Sequence, residues 1–390
     1  MIPYGRQEIT QADIDAVVEV LRSDFLTQGP TVPEFEKSAA AYCGAQQAVA
    51  VNSATSALHI ACLALDLGPG DWLWTSPITF VASANCGLYC GAQIDFVDID
   101  PSTCNLSVER LAEKLTDAEK AGKLPKIVVP VHLCGQPCDM VGIHQLSQRY
   151  GFKIIEDASH AIGGKYKSEP VGNCRYSDIT VFSFHPVKII TTGEGGMALT
   201  NDPVAADRMR RYRSHGITSE AGKMQPRPAD EIWNYQQIGL GFNYRMTDIQ
   251  AALGLNQMTR LDEFVEKRHQ IARRYDAALA GLPLQVPWRG SDSHSSYHLY
   301  PIRLRRDEIR QTQRQVYDAL RTAGIQVNLH YIPVYRQPYY EAMGFEAGYC
   351  PQAERYHKET ISLPMYPGLS GAEQDHVIAA LGTALSACSS

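Results

Sequence analysis

The sequence has little that would take the chain out of water. No apolar run reaches the roughly 18 residues a membrane-spanning helix needs. The opening segment, MIPYGRQEIT, lacks the apolar core of a secretory signal. The expectation is a soluble, cytoplasmic protein without a membrane partner. Positive charge is also short: 36 Lys and Arg against 42 Asp and Glu give a formal net charge of −6. No basic face stands out, which argues against nucleic acid as a partner. No G-x-G-x-x-G follows a first strand, which argues against a plain dinucleotide-binding protein. No internal repeat or low-complexity segment is present.

Cysteine is not scarce, but its pattern is weak. There are ten, and without a secretion signal disulfides are not expected. Cys86 and Cys90 form one C-x3-C, and Cys134 and Cys138 form another, so a zinc site could be drawn from the two pairs. However, the first pair lies in a helix-like segment (TFVASANCGLYCGA), and the second straddles a Gly-Gln-Pro turn. Nothing in the sequence requires them to meet. They read as small core residues, and no metal is expected.

The remaining composition, 44% hydrophobic and 20% charged, is that of an ordinary globular chain, and its length suits two or three domains. Thr10 and Asp13 make a capping box before Ile14, Val17, Val18 and Leu21, which recur at helical spacing. LTQGP at 26–30 is a turn-rich break. From about residue 47 short apolar runs alternate with helical stretches: AVAV, WLWT, IDFVDI, KIVVPV, FKIIED and ITVFSF. That alternation predicts an α/β fold with a largely parallel sheet flanked by helices. GMALT at 196–200 follows a Gly-rich turn and reads as an extra, hairpin-like strand.

After about residue 247 the texture changes. TDIQAALGLNQMTRLDEFVEKRHQIARRYDAAL reads as one long helix. A strand (HLYPIRL), a helix, a second strand (QVNLHYI) and two helices follow, which predicts a small α+β domain. The boundary is placed within the long helix, giving a large domain over 1–250 and a small one over 251–390.

In open α/β sheets, ligands sit beyond the carboxyl ends of the strands. After AVAV comes NSATSA, where Thr55 and Ser56 open a helix. A helix N-terminus with hydroxyls suits a phosphate, although plain N-capping gives the same pattern. After FKIIE comes Asp157, followed by Ser159 and His160. Asp157 can cap the next helix or hold a cationic ring nitrogen. After ITVF come Ser183, His185 and Lys188. A lysine is rarely buried unless it is paired or reacting, although a surface lysine before a turn gives the same pattern. A phosphate donor set, a carboxylate and a lysine at one end of one sheet fit pyridoxal phosphate.

The segments SATSALH, TSPITFVASAN, EDASHAIGG, FSFHPVKIITTGEGGMALTND, RSHGI and GFNYRMTDIQAALGLNQ then resemble the nucleotide-sugar aminotransferases. These are fold type I pyridoxal-phosphate enzymes that aminate keto sugars carried on nucleotides, and the resemblance spans nearly the whole chain. LTQGP, SPITFVASAN, EDASHA, SSYHLYPI and QVNLHYIPVY carry a nearer resemblance to the branch of the family that serves pseudaminic acid biosynthesis.

The resemblance implies pyridoxal 5'-phosphate as cofactor, with pyridoxamine phosphate between the half-reactions, and L-glutamate with a nucleotide sugar as substrates. It also implies a homodimer whose chains share each site. Lys188 matches the lysine that bonds the cofactor, and Asp157 the partner of its ring nitrogen. His160 stands near its phenolic oxygen, and Phe80 on its ring face. Thr55, Ser56 and Ser183 match phosphate ligands, and Asn243 resembles the asparagine that reaches the other subunit's phosphate. Tyr4, the Thr27–Gln28 turn, His185, Arg245, His330 and Tyr331 are candidates for substrate contact. Arg213, Arg245 and Lys165 are candidates for the diphosphate.

Overall fold

The computed structural model describes residues 1–226, 228 and 230–386. Helices α1 (Gln11–Arg22) and α2 (Thr31–Cys43) precede the first strand. The capping box expected at Thr10 is present, with the Thr10 amide on Asp13 Oδ2 at 2.7 Å. Strand and helix then alternate: β1 (Gln47–Val51), α3 (Ala54–Ala64), β2 (Trp72–Thr75), α4 (Ala82–Tyr89), β3 (Gln93–Phe96), α5 (Val108–Ala121), β4 (Ile127–Val129), α6 (Met140–Tyr150) and β5 (Lys153–Asp157). A small hairpin, β6 (Lys165–Tyr166) with β7 (Glu169–Pro170), leads to β8 (Ile179–Ser183) and β9 (Gly196–Thr200), and α7 (Pro203–Tyr212) follows.

The central sheet has seven strands in the order β1-β9-β8-β5-β4-β2-β3. β8, β5, β4, β2 and β3 pair in parallel, and β9 runs antiparallel to both β8 and β1. GMALT is therefore the reversed strand that its Gly-rich turn predicts. All five residues of β8 are buried, as a parallel strand covered on both faces requires. Crossover helices bring the carboxyl ends of the parallel strands to one edge.

Beyond a short pair, β10 (Ile217–Thr218) with β11 (Gln236–Gln237), two expectations need correction. The long helical pattern is two helices, α8 (Asp248–Met258) and α9 (Leu261–Leu279). The break at 259–260 has a local cause: Thr259 Oγ1 donates back to the Asn256 carbonyl, and Arg260 turns to Glu8 and the buried Asp13. Residue 250 lies near the start of α8, not inside one continuous rod.

The second correction concerns QVNLHYI. β12 (Leu284–Gln285), β14 (Tyr300–Leu304) and β15 (Thr360–Leu363) form a three-stranded sheet, while β13 (Ser293–His294) joins β6. QVNLHYI meets β15 through a single bridge, Asn328 to Ser362, and is not a strand. The Gln326 amide is instead taken by the carbonyl of Ile2. This irregular course carries Asn328 to Ile332 along the central cavity. α10 (Gln313–Thr322), α11 (Pro338–Glu341), α12 (Pro351–Glu359) and α13 (Gly371–Ser386) complete the chain. Tyr275, Tyr300, Val316, Leu320, Leu363 and Leu381 form a core of their own under the small sheet. Among the described residues no helix is long and apolar enough to cross a membrane.

Candidate active site

The carboxyl ends of β1, β2, β4, β5 and β8 open onto a cavity of about 620 Å³. Asp157 is the last residue of β5 and Ser183 the last of β8, so the sheet delivers both to the same rim. Tyr4, Thr55, Phe80, His160, His185, Lys188, His330 and Tyr331 line the cavity with them.

The Asp157 carboxylate is held from two sides. Ser83 Oγ donates to Oδ2 at 2.6 Å, and the Ser159 amide donates to Oδ1 at 3.1 Å. The Thr79 hydroxyl lies 2.7 Å from that of Ser83 and extends the chain of donors. These contacts set the plane of the carboxylate toward the cavity.

Lys188 lies beyond β8, its amide bonded to the His185 carbonyl at 2.8 Å. Among the described residues its amine has no hydrogen-bond or ion-pair partner. Protein surrounds the amine, and burial pushes it from 10.5 down to about 8, against the pull of the Asp157 carboxylate. An amine so placed is neutral far more often at neutral pH than a surface lysine, and is the more nucleophilic for it.

His160 is buried, and its hydrogen bonds fix its tautomer. Nδ1 accepts the Cys134 amide at 3.2 Å, so the proton sits on Nε2, which donates to the Tyr331 hydroxyl at 3.2 Å. Burial, then Lys188 and His330, hold this imidazole well below its usual range, so it stays a neutral donor. His330 is fixed by a 2.9 Å bond between Nδ1 and Ser362 Oγ. Burial, with Lys188 beside it, brings His330 down to about 4.

The start of α3 offers a candidate seat for an anion. Ser53 Oγ caps the helix by accepting the Ser56 amide at 3.1 Å. The amides of Ala54 and Thr55 precede any intrahelical acceptor. Close approach to β9 shapes this turn. A Cβ on Gly196 would stand 2.5 Å from the Ala54 nitrogen, so glycine is needed there. Gly193, at φ +81°, makes the preceding turn.

Not every candidate reaches the cavity. The Ser56 hydroxyl turns away to Asn52 Oδ1 at 2.7 Å. The Thr27–Gln28 turn is tied to α8, where Asp248 accepts the Gly29 amide. Asn243 is exposed, and Arg245 bridges to Val51 at the end of β1; neither lines the cavity. Arg213 is committed to Glu36 and the Ala50 carbonyl at 2.7 Å, so it is not a free cation for a diphosphate. Lys165 lies on β6, outside the lining.

The structure also adds residues that the sequence pattern did not single out. Thr79, in the loop before α4, and Ser83, in its first turn, sit four apart, a spacing whose meaning depends on knowing where that helix begins. His298 and Asn328 enter from the small sheet's side.

A lysine amine of lowered basicity near a fixed carboxylate, beside a helix N-terminus, at the carboxyl edge of a mainly parallel sheet, fits a pyridoxal-phosphate aminotransferase site. The donor set fits that cofactor: open amides for a phosphate, an anchored carboxylate for a ring nitrogen, and an imidazole N–H for a phenolic oxygen. Residues 7–382 match the model of the DegT/DnrJ/EryC1/StrS aminotransferase family, and the chain belongs to it. It is a pyridoxal-phosphate-dependent sugar aminotransferase.

Among its relatives, the Bacillus subtilis spore coat polysaccharide biosynthesis protein SpsC is 39% identical over 383 residues, covering 97% of this chain and 96% of that protein. The UDP-4-amino-4,6-dideoxy-N-acetyl-beta-L-altrosamine transaminase of Campylobacter jejuni is 37% identical over 368 residues, covering 94% and 93%. The solved structure of Helicobacter pylori PseC, an aminotransferase involved in the biosynthesis of pseudoaminic acid, superposes with a TM-score of 0.90 at 28% identity, covering 98% and 99%. Spr1654 of Streptococcus pneumoniae, in its PMP form, superposes at 0.89 with 31% identity over 98% and 99%.

Proposed function

We propose that the chain moves the amino group of L-glutamate to C4 of UDP-2-acetamido-2,6-dideoxy-β-L-arabino-hex-4-ulose. The product is UDP-4-amino-4,6-dideoxy-N-acetyl-β-L-altrosamine, a step of pseudaminic acid biosynthesis. The similarity to the C. jejuni transaminase over almost the full length of both proteins carries this reading.

Bound pyridoxal phosphate supplies a carbonyl for the amino group and a ring that withdraws electrons from the adjoining carbon. The chain supplies the rest. The Lys188 amine is the nucleophile toward that carbonyl and, once free, moves the proton at the amino-acid carbon. Asp157, steadied by Ser83 and Ser159, holds the proton at the ring nitrogen. Thr55, Ser183 and the first turn of α3 take the phosphate, with Ser56 supporting that turn through Asn52 and Ser53. His160 Nε2–H, which here meets the Tyr331 hydroxyl, would turn to the phenolic oxygen. Phe80, 59% exposed at the cavity, has a free ring face with which to cover the cofactor. Tyr4, His185, His330 and Tyr331 face the substrates.

Two chains build each site in this reading. Ile232, Trp233 and Leu240 are 91%, 74% and 77% exposed, more apolar surface than one short segment ordinarily shows to water. The exposed Asn243 lies just beyond that segment, where it can reach a partner's phosphate, and Arg245 or the Thr27–Gln28 turn can meet a substrate held by the partner.

The test is to incubate the purified protein with glutamate and the 4-keto UDP-sugar, and to follow the sugar by mass spectrometry and NMR. The amino sugar at C4 is expected, and Lys188→Ala is expected to abolish it. The 39% identity to SpsC favours a second reading, another keto nucleotide sugar as acceptor. Amination of a D-configured or 3-keto substrate in preference to this one would establish it.

A further inference from the structure

The cavity wall holds a histidine, backed by a buried arginine, and the surroundings of both are incomplete. His298 is 3% exposed, and its ring centroid lies 4.4 Å from that of His160. Its Nδ1 is buried without a hydrogen-bond partner. Its Nε2 has no partner among the described residues and is not among their buried unpaired atoms, so it stays open where His298 lines the cavity. A buried N–H without an acceptor is rarer and costlier than an idle lone pair. The proton therefore belongs on Nε2, and a donor points into the cavity with nothing to receive it.

Arg268, on α9, lies directly behind. It is 1% exposed. Its Nη1 donates to the carbonyls of Tyr297, His298 and Met365 at 3.1, 3.2 and 2.9 Å, and its Nε has no partner. Among the described residues no carboxylate pairs with it. A guanidinium inside the protein without a counter-ion is costly unless an anion comes near. Arg268 also borders the same small recess as Lys188. No arginine lines the main cavity, and its lysine is the one that bonds the cofactor.

We propose that His298 and Arg268 form the carboxylate subsite for the amino donor: His298 Nε2 donates a hydrogen bond to a carboxylate oxygen, and Arg268 supplies the positive field behind it. This rests on the aminotransferase reading above and names the residues that would recognise its amino acid. The depth of His298 favours the small dicarboxylate over the nucleotide sugar, whose diphosphate is strongly hydrated and large.

Succinate, a dicarboxylate with no amino group to transfer, is the probe. Its Kd is measured on the cofactor-loaded enzyme through the cofactor's absorbance, for the wild type, His298→Phe and His298→Gln. Phenylalanine keeps a ring against His160 without the donor, and glutamine restores an N–H. The expectation is a Kd about 10-fold or more higher in His298→Phe, the size of a hydrogen bond to a charged group. A parallel rise in KM for glutamate, an unchanged KM for the keto sugar, and partial recovery in His298→Gln are also expected.

Wild-type affinity for succinate in His298→Phe would overturn the proposal. So would a KM that rises equally for both substrates, which is the mark of a merely structural residue. Should His298→Phe fail to hold the cofactor, His298→Gln decides alone: retained succinate binding supports the subsite, and its loss with the cofactor band intact overturns the donor role. A wild-type enzyme that carries the cofactor and aminates sugars but ignores succinate defeats this inference alone. A protein that neither holds the cofactor nor transfers nitrogen defeats the aminotransferase reading itself.

Discussion

At the scale of single residues the site works through atoms held in one state. Ser83 bears on Asp157 through one 2.6 Å bond. Its removal leaves Asp157 with the Ser159 amide alone, so Ser83→Ala is expected to lower kcat about 10-fold or more while the fold survives, since a hydrogen bond to a charged group contributes about 1.5–3 kcal/mol. Steady-state kinetics beside a melting curve check this; unchanged kcat would remove Ser83 from the machinery. Lys188 sets a pH dependence. Burial holds its amine near 8 instead of 10.5, so the neutral, reactive form accumulates as pH rises through about 8 and is nearly complete well below the usual lysine range. The rate at which apoprotein takes up pyridoxal phosphate is therefore expected to rise through about pH 8 and to level about one pH unit above it. A rate still climbing toward pH 10.5 would contradict the buried amine.

At the scale of elements, the proposed anion seat depends on β9 pressing against the start of α3. Gly196→Ala places a Cβ 2.5 Å from the Ala54 nitrogen, so α3 must shift. Cofactor affinity is expected to fall more than 10-fold, with about 1–3 kcal/mol lost from stability, as overpacked sites show. Equilibrium dialysis and denaturant melts measure the two.

The elements also show what the sequence could and could not disclose. Asp157, Ser183 and Thr55 were legible because period and composition mark strand ends, and an α/β sheet places its chemistry there. Lys188 was legible through the glycines that follow it. Ser83 was not, because its meaning depends on α4 turning it back toward β5. His298 and Arg268 were not, because the small sheet's side brings His298 to the cavity, and α9 sets Arg268 behind it, from more than a hundred residues beyond Asp157. The break at 259–260 was hidden for a similar reason: its cause, the Arg260 pairing with Asp13, is 247 positions away in sequence. QVNLHYI carries strand composition, yet its hydrogen bonds go to Ile2 and one bridge.

For the whole molecule, three buried imidazoles, His160, His298 and His330, stay neutral in the fold. Each is depressed below its unfolded value, so the unfolded chain takes up protons first as the solution is acidified. Stability is then full above pH 6.5 and declines as pH falls from there to about 4, the folded value of His330. Thermal melts are expected to show that decline, and His330→Asn to flatten it. An equal slope in wild type and variant would contradict the neutral imidazole.

The proposed shared-site dimer makes a second prediction at this scale. Lys188→Ala and Asn243→Asp chains, each inactive alone, are expected to regain roughly a quarter of wild-type activity when mixed, because half the pairs contain one intact composite site. No recovery after subunit exchange would place Asn243 outside its partner's site.

The central claim is that Lys188, facing Asp157, carries amino transfer from glutamate. The absorbance spectrum of the cofactor-loaded protein, recorded before and after glutamate and repeated with Lys188→Ala, tests it most directly. The account predicts that glutamate converts the long-wavelength band of the bound pyridoxal form to the shorter-wavelength band of the pyridoxamine form in wild type, and that Lys188→Ala cannot complete the change. A band that ignores glutamate in wild type, or one that converts equally well without Lys188, would contradict it.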